Sequence, residues 1–392
     1  MKAAEIKVAF CENGAGFGGA VISLAAFLDK IPAPFRPYIY TGIGTAQYRE
    51  LSALGQWTHL PPVTLVNPEG LHRSGLPLRS TIDNVCNVLP YAIKYFRAFR
   101  RDRIELVYLN NDTSCNMAAA LAGKLAGLPL VLHARGFNSN TKGSRWMLAN
   151  LDHCIAVSHA VRGELLALGL AAERCTVVPE GLDLTMFHPR PPAAALLAEL
   201  DIAPTDPVIT LVAGLVDWKG QDVLLDAAPA ILERFNTAHI LLVGSAYGKD
   251  RAFADLITQR AAGLGPRVRM LGARADVADL LSISTVVLHT STNPEPFGRT
   301  FLEGMALGKA VIASNEGGPL DVIEHEVDGL LIAPRQPAVL ADAVIRLLTD
   351  PDFAAALARK AAVKARDYSI ERHAQAVTAV MHNVLNRANN SR

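Results

Sequence analysis

Residues 286–313 read VVLHTSTNPEPFGRTFLEGMALGKAVIA. Val286–His289 is a short uncharged apolar run, the pattern of a strand covered on both faces. A loop containing Pro and Gly follows, then a helical pattern over 300–306, then a second apolar run over 310–313. Strand, loop, helix and strand in that order form the repeating unit of a parallel α/β sheet. The alternation extends in both directions. In the second half, strand patterns lie at 208–213, 239–243, 268–271, 286–289, 310–313 and 329–332, with helical patterns between them and over 337–348 and 353–365. In the first half, strand patterns lie at 6–11, 37–40, 106–110, 130–133, 154–157 and 176–178, separated by helical patterns such as 84–101 and 160–168.

The composition shifts near residue 188. His188-Pro189-Arg190-Pro191-Pro192 and, after a short helix, Pro204-Thr205-Asp206-Pro207 read as a linker. The expected organisation is therefore a first α/β domain over 1–188, a second over 189–368, and a closing amphipathic helix over 369–392. The picture is two doubly wound α/β halves facing a cleft. Ligands of such sheets bind outside the carboxyl ends of the strands.

The chain has 392 residues, half of them hydrophobic, with a formal net charge of +1. That is ample for two cores, and it argues against a whole-surface nucleic-acid footprint. The five cysteines are scattered, with no CxxC pair, so neither a metal knuckle nor a disulfide framework is expected. The first ten residues lack the long apolar stretch of a signal peptide, and no window of 18 apolar residues suits a membrane span. These features lead to the expectation of a cytoplasmic protein.

The segment 293–308 carries the chemistry. Gly298 and its neighbours place backbone N–H groups at a helix N-terminus, a natural phosphate seat. Glu295 stands just before that seat and Glu303 about two turns beyond it. Two carboxylates beside a phosphate seat suit the hydroxyl-rich ends of a sugar nucleotide, one accepting from the sugar and the other from the ribose.

The E-x7-E spacing of Glu295 and Glu303, the tetrapeptide Glu295-Pro296-Phe297-Gly298, and the run 310–318 (AVIASNEGG) resemble the retaining family-four glycosyltransferases, which have the GT-B fold. The resemblance covers nearly the whole chain. It implies that Phe297, Gly298, Arg299 and Thr300 belong to the donor site with the two glutamates. The stretch 213–220 (AGLVDWKG) resembles the loop whose lysine meets the donor diphosphate, a role that falls to Lys219. Gly214 stands where the family usually carries a second, arginine grip. A charged hydrogen bond of that kind is worth about 1.5–3 kcal/mol. Either Arg299 or Arg274 replaces it, or donor binding is weaker or the donor is a different one. Arg274 lies in 271–277 (LGARADV), which resembles the loop that cradles the nucleobase.

In the first half, 13–19 (NGAGFGG) follows the first strand. Its G-x-G-x-x-G pattern lacks the acidic ribose partner that a nicotinamide dehydrogenase needs, since 38–42 is Tyr-Ile-Tyr-Thr-Gly. In the resembling family this loop faces the donor sugar or acceptor, with Gly18 and Gly19 as the close-approach positions. His133, after another strand, is the expected polar group near the reacting sugar. Arg135 and Glu180 are expected to line the acceptor side. Ser158 reads as a helix N-cap.

The implied reaction is retaining transfer of a hexosyl unit from a UDP- or GDP-linked sugar to an acceptor hydroxyl, in polysaccharide or glycolipid assembly. Glu295, His133 and Lys219 are the expected catalytic groups. No metal and no further cofactor is implied. Two other readings stay open: a sugar-nucleotide binder without turnover, which Gly214 favours, and a sugar-nucleotide epimerase of the same fold. The expected partners are the donor and a sugar, glycolipid or lipid-linked acceptor, with no nucleic acid. Lys94, Arg97, Arg100 and Arg101 crowd an amphipathic helix, a pattern suited to peripheral contact with the anionic inner face of a membrane.

Overall fold

The computed structural model describes residues 5–14, 16, 18–67, 82–246 and 251–390. The chain divides into two compact units. One comprises Met1–Gly181 with Ile370–Arg392, and the other Leu182–Ser369.

The first unit holds a parallel sheet of seven strands: β1 (Ile6–Glu12), β2 (Phe35–Thr41), β3 (Gln56–His59), β4 (Leu106–Asn111), β5 (Leu130–Ala134), β6 (His153–Ala156) and β7 (Cys175–Val177). Their order is β3-β2-β1-β4-β5-β6-β7. The second unit holds β8 (Val208–Val212), β9 (His239–Val243), β10 (Val268–Gly272), β11 (Val286–His289), β12 (Ala310–Ser314) and β13 (Leu330–Ile332), in the order β10-β9-β8-β11-β12-β13. Each chain path starts in the middle, runs to one edge and then restarts toward the other. That is the doubly wound Rossmann-like topology, and two such units make the GT-B fold. The order reverses between β1 and β4 and between β8 and β11, the switch points where ligands of these sheets bind.

Burial explains the sequence patterns. Val8 to Cys11, Leu106 to Asn110 and Val286 to Leu288 are wholly buried, because helices cover both faces of a parallel sheet. The expected strands lie within two residues of the observed ones. β3 was not anticipated, because Gln-Trp-Thr-His at a sheet edge carries no apolar run.

The closing helix, Ile370–Asn390, belongs to the first unit. Its Ala374, Val377, Val380, Met381 and Val384 join Phe10, Phe27 and Ile39 in one apolar core. The change of unit falls at 181/182 rather than at the expected 188/189, for a steric and a packing reason. A Cβ on Gly181 would stand 2.8 Å from the Ile370 backbone, so that residue packs on the returning helix. Leu182, by contrast, donates its N–H to the Tyr368 carbonyl at 2.8 Å. The proline-rich stretch from 188 therefore lies within the second unit. There the helix Ala194–Glu199 inserts Leu196 and Leu197 against Leu241, Val243 and Leu280.

Candidate functional site

Two loops leave the adjacent strands β8 and β11 at the switch point of the second unit. The first runs to the helix Gln221–Arg234, the second to the helix Arg299–Ala306. They are bound to each other. The Thr292 N–H donates to the Trp218 carbonyl at 2.8 Å, and the Thr290 hydroxyl reaches the Gly220 and Lys219 carbonyls at 3.1 and 3.2 Å. Gly220 sits at φ 73°, where a Cβ would lie 2.0 Å from the Thr290 carbonyl oxygen. Only glycine allows this approach. A third turn closes from the other side. Gly317, at φ 77°, pairs with Glu295, and the Gly318 N–H donates to the Glu295 carbonyl at 2.7 Å.

The stitching sets Lys219 beside Glu295. The lysine Nζ donates to Glu295 Oε2 at 2.6 Å and lies 3.9 Å from the centre of the Trp218 ring. Ser291 donates to the same oxygen at 2.8 Å, and His289 Nε2 stands 3.2 Å from it. Among the described residues no hydrogen bond reaches Oε1. Glu295 is 7% exposed. Burial alone would raise its pKa, but the Lys219 charge and the His289 contact outweigh burial and hold the carboxyl well below the usual range. Glu295 is a fixed, ionised acceptor with one oxygen still open.

Glu303 differs. It is buried on the helix one turn past Arg299, whose guanidinium lies 3.5 Å away. Here burial wins and pushes the carboxyl up, with Arg299 only partly opposing. The helix begins at Gly298, φ 92°, with no side-chain cap, so its first turn presents backbone donors. The Thr300 hydroxyl is bonded to the Val212 carbonyl at 3.0 Å and ties the helix to β8. The Phe297 ring is buried against Phe301 and Tyr368, so its side chain belongs to the core and only its backbone remains for a ligand.

The other expected donor residues fall elsewhere. Gly214 accepts from Gln221 Nε2 at 2.8 Å and supplies no charge. Arg274 follows the edge strand β10, three strand positions from β11, or roughly 14 Å across the sheet. Its guanidinium is held by Asp276 at 2.7 and 2.8 Å and by Glu199 at 2.8 Å. This pairing, rather than a diphosphate, is what the structure shows for Arg274.

Family models match both units. One described as Glycosyltransferase Family 4 matches residues 39–186, and one described as Glycosyl transferases group 1 matches residues 194–364. The chain belongs to this glycosyltransferase family. A D-inositol 3-phosphate glycosyltransferase of Nocardia farcinica is 30% identical over 69% of the chain and 59% of its own length. A GDP-mannose-dependent alpha-(1-6)-phosphatidylinositol monomannoside mannosyltransferase of Mycobacterium tuberculosis is 32% identical over 46% of the chain and 48% of its own length. The chain thus spans about half to three-fifths of these curated relatives. The solved structure of Anabaena Alr3699/HepE in complex with UDP-glucose superposes with a TM-score of 0.81. It covers 97% of the chain and 100% of HepE at 24% identity, a likeness of fold.

In the first unit of this family-four chain, a Cβ on Gly18 or Gly19 would meet nothing within 4 Å among the described residues. Their neighbours Ala15 and Phe17 lie outside the described residues. His133 is wholly buried, its Nδ1 bonded to the Tyr108 hydroxyl and its ring stacked 5.6 Å from that of His373. Burial, with the charge of Arg135 and the nearby His373, pushes its pKa well down, so it is a neutral core imidazole. Arg135 and Glu180 are each other's partners: Arg135 Nη1 meets both carboxylate oxygens at 2.7 and 2.6 Å, and the arginine side chain is 1% exposed. The guanidinium is thus held in a buried ion pair, with Nη2 buried and unpartnered among the described residues. Ser158 caps its helix as expected, accepting from the Val161 N–H at 3.2 Å.

Sequence reasoning missed Trp218, His289 and Ser291. The signal was present: a buried apolar strand that ends in His-Thr-Ser-Thr places polar side chains where ligands bind. Because Gly317 is left-handed and its Cβ would stand 2.1 Å from the Glu295 carbonyl oxygen, Gly317→Ala should destabilise the second unit by about 1–3 kcal/mol. Urea unfolding measures this, and an unchanged midpoint would refute the close packing of the two turns.

Proposed function

We propose that this protein is a retaining glycosyltransferase that moves a hexosyl unit from a UDP- or GDP-linked sugar to the hydroxyl of a glycolipid or saccharide acceptor, without a metal ion. The observation that carries the reading is the contact of Lys219 with Glu295 beside an uncapped helix N-terminus. Glu295 keeps Oε1 open for a sugar hydroxyl. Lys219 gives one of its three N–H groups to Glu295, and the others suit phosphate oxygens. Glu303 suits the ribose.

In the proposed step the bond from the anomeric carbon to the phosphate oxygen breaks. A bond from the same carbon to the acceptor oxygen forms on the same face, and the acceptor proton passes to the departing phosphate. Negative charge grows on the diphosphate. Lys219 and the first turn of the Arg299–Ala306 helix are preorganised to meet it, and they can do the electrostatic work that a divalent cation does elsewhere. The names of the relatives, one specifying inositol 3-phosphate and another GDP-mannose with a phosphatidylinositol glycolipid, support a glycolipid or polyol acceptor. Gly214 favours the second reading, a sugar-nucleotide binder without turnover, because it leaves Lys219 as the only cation of its loop.

A thermal-shift screen of UDP, GDP and ADP, followed by turnover of the matching sugar nucleotides, separates the two. Transfer is expected with one base, unaffected by chelator. Lys219→Ala should weaken nucleoside diphosphates about tenfold or more while sparing nucleosides, and Glu295→Gln should abolish transfer while sparing the nucleotide. Selective binding with no transfer to any acceptor would leave the binder.

An ionised Glu303 carboxyl accepts from both ribose hydroxyls, whereas a protonated one keeps one oxygen as a donor, and burial raises its pKa. Nucleotide affinity should therefore fall on acidification at a pH above the ordinary carboxylate range, and Glu303→Gln should flatten that dependence. Parallel pH profiles for wild type and variant would refute the assignment.

No helix among the described residues is long and apolar enough to cross a membrane. The helix Leu89–Asp102, with the turn before it, instead exposes Val85 (57%), Leu89 (42%) and Ile93 (43%) at four-residue spacing, leading to exposed Arg97, Arg100 and Arg101. Lys94 donates to the Pro61 carbonyl, and Arg101 holds Asp102. We propose that this stripe rests on an anionic lipid surface. Sedimentation with phosphatidylglycerol vesicles should show salt-sensitive binding, lost in Ile93→Ser with Arg97→Glu. Equal binding to neutral vesicles would refute it.

A further inference from the structure

The five cysteines are scattered along the chain, but the fold brings two of them together. Cys154 lies on β6, and Cys175 opens β7, an edge strand of the first sheet. The two strands run parallel, and their register sets Cys154 directly opposite Cys175. Residues paired in this way stand about 4.8 Å apart and send their side chains to the same face of the sheet. A disulfide needs Cα atoms about 4.4–6.8 Å apart. The strand pairing itself therefore meets the backbone requirement for a bond between these sulfurs. Both are free thiols. Cys11, the other strand cysteine, pairs with Tyr40 and Leu109 instead.

The two thiols are not equivalent. Cys154 is wholly buried, and burial pushes its thiol well up. Cys175 is 8% exposed at the sheet edge. The hydrogen bond from Cys154 pulls the Cys175 thiol down, and the charge of Arg162, on the helix His159–Ala167, adds to this against burial. Cys154 has a single S–H, which faces either the Cys175 sulfur or the Ile155 carbonyl at 3.8 Å. Turned to Cys175, it stabilises a thiolate there. By contrast, burial and the Asp112 carboxylate push the Cys115 thiol up to about 12. The thiolate is the reactive form of cysteine, so the surroundings favour attack by Cys175 and leave Cys154 as the thiol that resolves the product.

We infer that Cys154 and Cys175 form a redox modification site, a thiol pair that hydrogen peroxide closes into a disulfide across β6 and β7. The Cys175 thiolate attacks one peroxide oxygen and the O–O bond breaks. The departing hydroxide takes up the proton that Cys175 released, which gives water and a sulfenic acid on Cys175. The Cys154 sulfur then attacks the Cys175 sulfur. The S–S bond forms, the S–O bond breaks, and the hydroxyl leaves as water with the Cys154 proton. Two thiols have lost two electrons, and one peroxide has become two waters. The new bond ties the three-residue edge strand to its neighbour and closes a loop that contains the helix His159–Ala167. The site lies within the first unit and does not depend on the transferase reading.

The test oxidises the native full chain with hydrogen peroxide, then unfolds it, blocks the remaining thiols with iodoacetamide and maps the peptides by mass spectrometry without reductant. The expected product is a peptide pair joined through Cys154 and Cys175, two hydrogens lighter than the separate thiols and split by dithiothreitol. In Cys154→Ser the resolving thiol is gone, so oxidation should stop at a sulfenic acid on Cys175 that dimedone captures. Recovery of Cys154 and Cys175 as blocked free thiols after treatment of the wild type would overturn the proposal. So would their joining to other cysteines in place of each other. Dimedone on other cysteines of Cys154→Ser with none on Cys175 would overturn the assigned order of attack. The wild-type map decides the pairing even if that variant does not fold.

Discussion

The salt bridge from Lys219 to Glu295 is the contact on which the second unit's site depends. Each charge is expensive to bury alone, by several kcal/mol, and the pair is tolerable only with close geometry and further hydrogen bonds. The chain meets that condition with Ser291 and His289 on the same carboxylate oxygen and the Trp218 ring beside the ammonium. Such convergence requires the loops after β8 and β11 to touch along their length. Gly220 beneath Thr290 and Gly317 beneath Glu295 are the two places where only a missing Cβ lets them do so. The glycines, the pair and the position of the helix start are one constraint seen from three sides.

The same constraint bears on the absent arginine at Gly214. A donor diphosphate, as proposed, carries more charge than one lysine neutralises, so the remainder would have to come from elsewhere. In the proposed donor site the uncapped turn at Gly298 would supply part of it, since the N-terminus of a helix is equivalent to roughly half a positive charge. The first turn cannot drift, because the Thr300 hydroxyl fastens it to the last residue of β8. A fixed dipole needs no reorganisation as charge develops, whereas a long arginine would have to be ordered first.

Much of this was legible in the sequence, and what was not has physical reasons. Strands buried on both faces are unbroken apolar runs, so twelve of the thirteen lie within two residues of where the pattern puts them, and only the edge strand Gln56–His59 was invisible. The loops at 213–220 and 293–300 could be placed because their glycines and prolines obey local rules. Pairings between distant residues could not. Nothing near Arg135 in the chain shows that Glu180 will bind it, and nothing near Arg274 shows that Glu199 will. Both were read as ligand groups because an unpartnered arginine looks like one. Phe297 misled differently: it stands in a functional motif, yet its ring serves the core. His133 combined both problems, a polar residue at a strand end whose partners, Tyr108 and His373, come from a neighbouring strand and from a helix 240 residues away in the chain.

The two buried glutamates, Glu12 and Glu295, can be told apart by counting acceptors. Both are carboxylates at a switch point, and both are held by donors that the fold cannot move. Glu12 has a bond on each oxygen, so the fold itself satisfies it. Glu295 has three donors crowded on one oxygen and none on the other. The open oxygen is not sealed in the core and stays accessible to water or a ligand. The contacts on Oε2 keep the whole carboxylate ionised while Oε1 stays open. In the proposed function the open oxygen is the place for a hydroxyl of the donor sugar, and the donors on Oε2 hold it in position.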